Sequence, residues 1–123
     1  MRIDGFKEGI QGKDNIQIVA SQTADWTREK GQSVTESILT SNPDINLIFG
    51  DYDEMVLGGL VSIKERGLLD QIDTIGYGCT KDGVAAIENN EMTATIDVGE
   101  YGTGIDIIDA VNDFCIEARV WKR

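Results

Sequence analysis

Histidine is missing from all 123 residues. Its absence removes the commonest general base at neutral pH and the commonest metal ligand. Positive charge is also scarce: 11 basic residues stand against 22 acidic ones, a net charge of -11 that repels phosphate backbones and anionic membrane surfaces. Nucleic acid is therefore not an expected partner. Cysteine is held to two positions, Cys79 in an expected loop and Cys115 in an expected helix, too few for a disulfide framework and silent on redox compartment. Proline occurs once, and no proline-rich linker, internal repeat or low-complexity stretch divides the chain. No apolar run approaches the roughly 20 residues that span a bilayer, and the opening MRIDGFKEGI lacks the basic start and apolar middle of a signal peptide.

The motifs of common enzymes are missing too. There is no P-loop, no G-x-S-x-G and no dinucleotide G-x-G-x-x-G at a strand-to-helix turn. Cys79 has no histidine to activate it, so a structural or solvated thiol is expected there rather than a nucleophile. Asp97 and Glu100 fall on one exposed loop, where two carboxylates ordinarily face water and not a metal. A binding module without catalytic residues, cofactor or metal is the expectation.

What is present reads as one compact domain, with 41% apolar residues, enough for a single core. A short helix starts at Gly5–Ile10, and the β-rich run IQIVA (Ile16–Ala20) predicts a strand. A helix over Thr27–Leu39 carries Val34, Ile38 and Leu39 on one side and stops at Asn42-Pro43-Asp44. Asn46–Gly50 is a nearly all-apolar strand, as befits a parallel sheet covered on both faces. Asp53 is placed to cap the next helix, which turns Met55, Val56, Leu60, Val61 and Ile63 inward and ends at Gly67. Strand Ile72–Tyr77, helix Lys81–Asn89 capped by Thr80, and strand Met92–Ile96 follow, then a helix from Gly102 to Glu117 with Ile107, Val111, Phe114 and Cys115 at core spacing. This alternation predicts βαβ units and a mainly parallel sheet between helices, an α/β fold over residues 1–118, with a basic tail at 119–123.

In open α/β sheets the ligand sits at the carboxyl ends of the strands. The residues there are Gln22–Trp26, Asp51–Glu54, Tyr77–Thr80 and Asp97–Tyr101, and Trp26, Tyr52, Tyr77 and Tyr101 bring aromatic rings. Rings stack on the C–H faces of sugars while polar groups take their hydroxyls. Each ring could equally cover the edge of the core. Asp53 is first of all a cap candidate, Asp51 and Glu54 are solvated by default, and Arg2 is either a bidentate donor to a ligand or half of a surface ion pair.

The segments Arg2-Ile3-Asp4-Gly5-Phe6, IVASQTADWTREKG (Ile18–Gly31), LIFGDYDEMVLGGL (Leu47–Leu60), TIGYGCTKDG (Thr74–Gly83) and MTATI (Met92–Ile96) resemble, in order and spacing, the successive motifs of the ribose- and galactose-binding type I periplasmic binding proteins. The resemblance implies the carboxyl-terminal one of two lobes that close on a sugar, a flavodoxin-like three-layer sandwich, and docking on an ABC permease. It implies sugar contacts at Arg2, Trp26, Tyr77 and, in the aspartate of the LIFGDYDEM motif, Asp53. Three positions depart from the family: Tyr52 replaces an asparagine, Gly78 an aspartate and Val98 a polar residue, usually glutamine. Each lost partner to a buried hydroxyl costs about 1–3 kcal/mol, so ribose itself is expected to bind badly.

The family lobe also opens with a strand that precedes the R-x-x-G-F helix, and this chain starts after it. A gap is therefore expected between the Ile16–Ala20 and Asn46–Gly50 strands, with a homodimer, strand exchange or distortion as its consequence. Family membership implies a periplasmic or extracellular protein with a sugar or polyol as ligand. Two rivals share the architecture. A LacI-type sugar-responsive regulator has the same lobes, while a phosphoacceptor receiver domain needs an acidic pair after its first strand and a lysine after Ile96, and has neither here.

Overall fold

The computed structural model describes residues 2–111. Among them helices and strands alternate as α1 (Arg2–Gly9), α2 (Arg28–Ser41), β1 (Leu47–Phe49), α3 (Asp53–Glu65), β2 (Asp73–Tyr77), α4 (Lys81–Glu88), β3 (Ala94–Ile96) and α5 (Glu100–Val111). The three strands form one parallel sheet in the order β1-β2-β3, with Phe49 opposite Ile75 and Tyr77 opposite Ile96. The fold is α/β, in keeping with a flavodoxin-like lobe.

Local chemistry sets the helix ends. Thr27 and Thr80 stand in extended geometry and accept from the amides of Lys30 (3.2 Å) and Gly83 (3.1 Å), satisfying donors the first turns of α2 and α4 leave open. α3 departs from its expected start. Tyr52 is its N-cap and makes no side-chain capping bond, and Asp53 is already the first helical residue. At the other end Gly67, with φ +68°, donates to Lys64 O, and Leu68 N donates to Ile63 O, which is a Schellman closure.

The core is built from Leu39, Val56, Leu60, Ile63, Ile72, Ala86 and Met92. On α3 the buried apolar residues follow the i, i+4, i+7 stripe of 56, 60 and 63; Val61 lies off it and is exposed, and Met55 is half-buried. α2 and α3 approach closely because glycine stands at the contact. A Cβ on Gly58 would lie 1.9 Å from the carbonyl oxygen of Arg28, and one on Gly31 would lie 2.1 Å from that of Met55.

Two expectations are corrected. Ile16–Ala20 is not a strand but an irregular segment, in which Ile16, Ile18 and Val19 are exposed. A strand exists only through ladder bonds to a neighbour, and β1, the nearest edge of the sheet, is hydrogen-bonded only to β2. Between this segment and β1 runs an open trough of about 1000 Å³, lined by Phe6, Ile18, Val34, Ile38, Leu47 and Phe49 among others. The ring of Phe6 stacks on Phe49 at 5.0 Å and holds α1 to β1. The second correction concerns α5, none of whose described residues is buried; Ile107, expected inward, is 56% exposed. Its apolar spacing meets no covering surface among the described residues. Phe114, Cys115 and the tail at 119–123 lie outside them.

Candidate functional site

The carboxyl ends of β1 and β2 bring four of the expected side chains together. The guanidinium of Arg2, at the start of α1, lies 4.3 Å from the ring centre of Tyr77 and 5.5 Å from that of Trp26. Trp26 and Tyr52 face each other at 6.2 Å with ring planes tilted by 57°. Trp26 sits in positive-φ backbone (φ +63°), as does Asp25 before it, an arrangement that thrusts the indole out of the turn ahead of α2 to stand 56% exposed. A large ring held in the open beside a cation and two phenols is a surface for a flat, hydroxyl-bearing partner.

Asp51 was expected to be solvated; the structure instead places its carboxylate on Arg2, with Arg2 Nε donating to Oδ1 at 2.5 Å and Nη2 to the Asp51 carbonyl at 3.4 Å. This bond is the main cause that raises the pKa of Arg2 above its ordinary value. Glu54 is likewise not free. Arg28 Nε and Nη2 donate to its two oxygens at 2.7 and 2.9 Å, and Nη2 also donates to Asp82 at 2.7 Å, tying the first turns of α2, α3 and α4 together. No local pattern marks these pairs, whose members lie 26 to 54 residues apart.

Asp53 does different work. It is fully buried, and all its bonds run inward: Oδ2 accepts from Thr80 N (2.7 Å) and Thr80 Oγ (3.0 Å), Oδ1 from Thr95 Oγ (2.6 Å). Thr95 Oγ in turn accepts from Cys79 N at 3.1 Å. One carboxylate thus joins the loop after β1 to the loop after β2 and to β3. Gly76 and Gly83 leave it room, since a Cβ on either would come within 2.1 or 2.4 Å of its oxygens.

At Gly78 φ is +116°, a region side chains rarely adopt, and a Cβ built there would lie 3.5 Å from the ring of Tyr52. Tyr52 therefore flanks the space that a side chain at position 78 would enter. Val98 is half-buried in the β3–α5 loop and has no polar side-chain atom to offer. In the same loop Asp97 accepts from Gly99 N at 2.8 Å, closing a local turn, and Tyr101, in the first turn of α5, is 87% exposed. Among the described residues no three histidine, cysteine, aspartate or glutamate side chains converge on a point.

Residues 1–116 match the model of the periplasmic binding protein domain. The chain is 40% identical over 95 residues to a ribose import binding protein of Haemophilus influenzae, covering 77% of this chain and 32% of that protein. Over 114 residues it is 30% identical to the D-allose-binding periplasmic protein of Escherichia coli, covering 89% of this chain and 36% of that one. A solved ABC transporter periplasmic solute binding protein from Actinobacillus succinogenes with bound D-allose superimposes with a TM-score of 0.83 at 32% identity, over 91% of this chain and 40% of that chain. The binding protein of an arabinose ABC transporter from a Shewanella species, bound to L-arabinofuranose, gives 0.80 at 32% identity, over 91% and 39%. The chain spans about a third of the length of the curated relatives it matches. With its parallel sheet, its ring-lined carboxyl edge and a match over residues 1–116, the chain belongs to the periplasmic binding protein domain family, among sugar-binding relatives.

Proposed function

We propose that this chain is the sugar-binding lobe of a solute-binding protein that delivers a sugar or sugar-like molecule to an ABC permease, and that it acts outside the cytoplasm as a binder and not as an enzyme. The observation that carries the reading is the gathering of Arg2, Trp26, Tyr52 and Tyr77 at the carboxyl ends of β1 and β2. Rings supply stacking faces and the guanidinium supplies paired donors, the two demands a pyranose or furanose makes. The LacI-type regulator is not favoured, because the relatives named above are import and periplasmic proteins.

Ligand contacts fall to Arg2, Trp26, Tyr52 and Tyr77, with Gly78, which has no side chain, and Val98, whose side chain is apolar, forming walls without a side-chain hydrogen-bonding group. Asp53 belongs to the site as its frame, since both its oxygens are already used. Ribose has hydroxyls around its whole ring and is a poor fit to such walls; a sugar or polyol with an apolar edge is a better one. A thermal-shift screen of the chain against pentoses, hexoses, deoxysugars and polyols tests this, because a ligand that binds only the folded state raises the melting point. A shift that disappears in Trp26→Ala and Arg2→Ala supports the site. A well-folded sample that shifts with no member of the panel sinks it.

The trough beside β1 supports a partner strand. Its two walls are the irregular Ile16–Ala20 segment and an edge strand whose outer backbone groups have no ladder, and its apolar lining suits alternate side chains of an inserted strand. In a whole protein that strand, and the second lobe, would come from the remainder of the chain; on its own, the lobe would find it in another copy by strand exchange. Size-exclusion chromatography with light scattering should then show dimers or larger species that dissociate on dilution. A monomer with a sharp cooperative melt at every concentration contradicts the exchange.

A further inference from the structure

Both guanidiniums at the carboxyl edge of this sheet are neutralised from within. Arg28 is shared by Glu54 and Asp82, and Arg2 is bound by Asp51 through Nε and, at its backbone, through Nη2. The ion pair of Arg2 with Asp51 sits inside the ring cluster, against the face of Tyr77, where the pair presents hydrogen-bond donors and an acceptor but no net charge. Further acidic residues, Asp25 beside Trp26 and Asp97 after β3, stand on the neighbouring loops.

Resting on the sugar reading of the same site, we propose that Asp51 sets its charge selectivity: by cancelling Arg2 it admits neutral sugars and polyols and turns away sugar acids and sugar phosphates. The physics is that of like charge. A carboxylate or phosphate drawn to Arg2 must approach Asp51 as well, and the one attraction is offset by the other repulsion. A neutral ring has no such conflict. It can donate a hydroxyl proton to Asp51 and accept one from Arg2, so the pair reads vicinal hydroxyls instead of charge. Arg2 is exposed enough to be reached, with 42% of its side chain accessible, whereas Asp51 retains 20%.

The experiment is a calorimetric titration of the whole 123-residue chain, as wild type and as Asp51→Asn, with D-gluconate and D-galacturonate as anionic probes and D-allose and L-arabinose as neutral ones. Asp51→Asn should bind the anions at least about tenfold more tightly than wild type, and added salt should erode that gain. Asp51→Ala should give the same gain, which separates the lost charge from the new amide. In the double variant Asp51→Asn with Arg2→Gln the gain should vanish. The inference is overturned if wild type takes the anions as readily as Asp51→Asn does, or if the gain survives Arg2→Gln and so belongs to another cation such as Lys81. The neutral arm judges the sugar reading separately: if neither protein takes a neutral sugar, that reading fails, while the anion titrations still decide the role of Asp51.

Discussion

The molecule has a tight half and a loose half. In the middle, α2, α3 and α4, with Ile72 just ahead of β2 and Met92 just ahead of β3, supply the apolar core of the described residues, and the main chains are so closely set that glycine is required where the helices meet. At the two flanks, α1 and α5 bury no described residue, although both carry apolar side chains at helical spacing. The flanks and the Ile16–Ala20 segment therefore display surface that elsewhere in the fold is covered. The ring cluster straddles the boundary: Tyr52, Tyr77 and Gly78 ride on the tight half, while Arg2 rides on α1, whose contacts include the Phe6–Phe49 ring stack and the Arg2–Asp51 ion pair.

The sharpest way to break the tight half is Gly58→Ala. The added methyl group collides with main chain and not with a flexible side-chain tip, so a loss of roughly 3 kcal/mol or more is expected, enough to abolish the cooperative melt of a small domain. Urea titration of wild type and variant measures it. Next comes Asp53→Ala, which strands the Thr80 amide and two hydroxyls without their acceptor and should remove about 2–3 kcal/mol, with the loop after β2 and strand β3 gaining the fastest amide exchange. In the loose half the same kind of change goes the other way. At Gly104 a Cβ meets nothing within 4 Å, so Gly104→Ala should add up to about 1 kcal/mol of helix propensity, seen as increased ellipticity with little change in the global melt. If Gly104→Ala destabilises as Gly58→Ala does, α5 is packed and the division fails.

The smallest effect is electrostatic. The Arg66 guanidinium holds the Glu36 carboxyl below its ordinary value of 4.5, and a carboxylate with a lowered folded pKa contributes stability that is complete above 4.5 and is lost as pH falls through the lower value. Glu36→Gln should lower the melting point slightly at pH 6, and the difference from wild type should close as the pH falls through the lowered value. A difference that persists in acid would assign the effect to packing and not to charge.

Most of the tight half was legible in the residues. The threonine cap at 80, the stop at Gly67 and the 56, 60 and 63 part of the α3 stripe are local signals, and the structure repeats them, while Thr27, read as the first helical residue, is the cap of α2. What failed was whatever depends on a distant partner. IQIVA has every local mark of a strand and is none, because a strand is a relation to a neighbour. Asp53 reads as a cap from its position ahead of a helical run, yet its acceptors are claimed by Thr80 and Thr95, 27 and 42 residues on. Arg2, Trp26, Tyr52 and Tyr77 came from strand-end logic and family resemblance, and the structure gathers them; Asp51 was read at its strand end as solvated by default, because nothing near it in sequence foretells its pairing with Arg2, 49 residues away.

The neighbours Tyr52 and Asp53 point to opposite duties, one ring toward Trp26 and one carboxylate inward to three donors. Because the inward residue fastens the loops, the outward ones can be exchanged without undoing the frame. A lineage built this way can change what it recognises one surface residue at a time and still fold at every step, which makes the buried aspartate a source of evolvability in a protein whose ligands differ from one relative to the next.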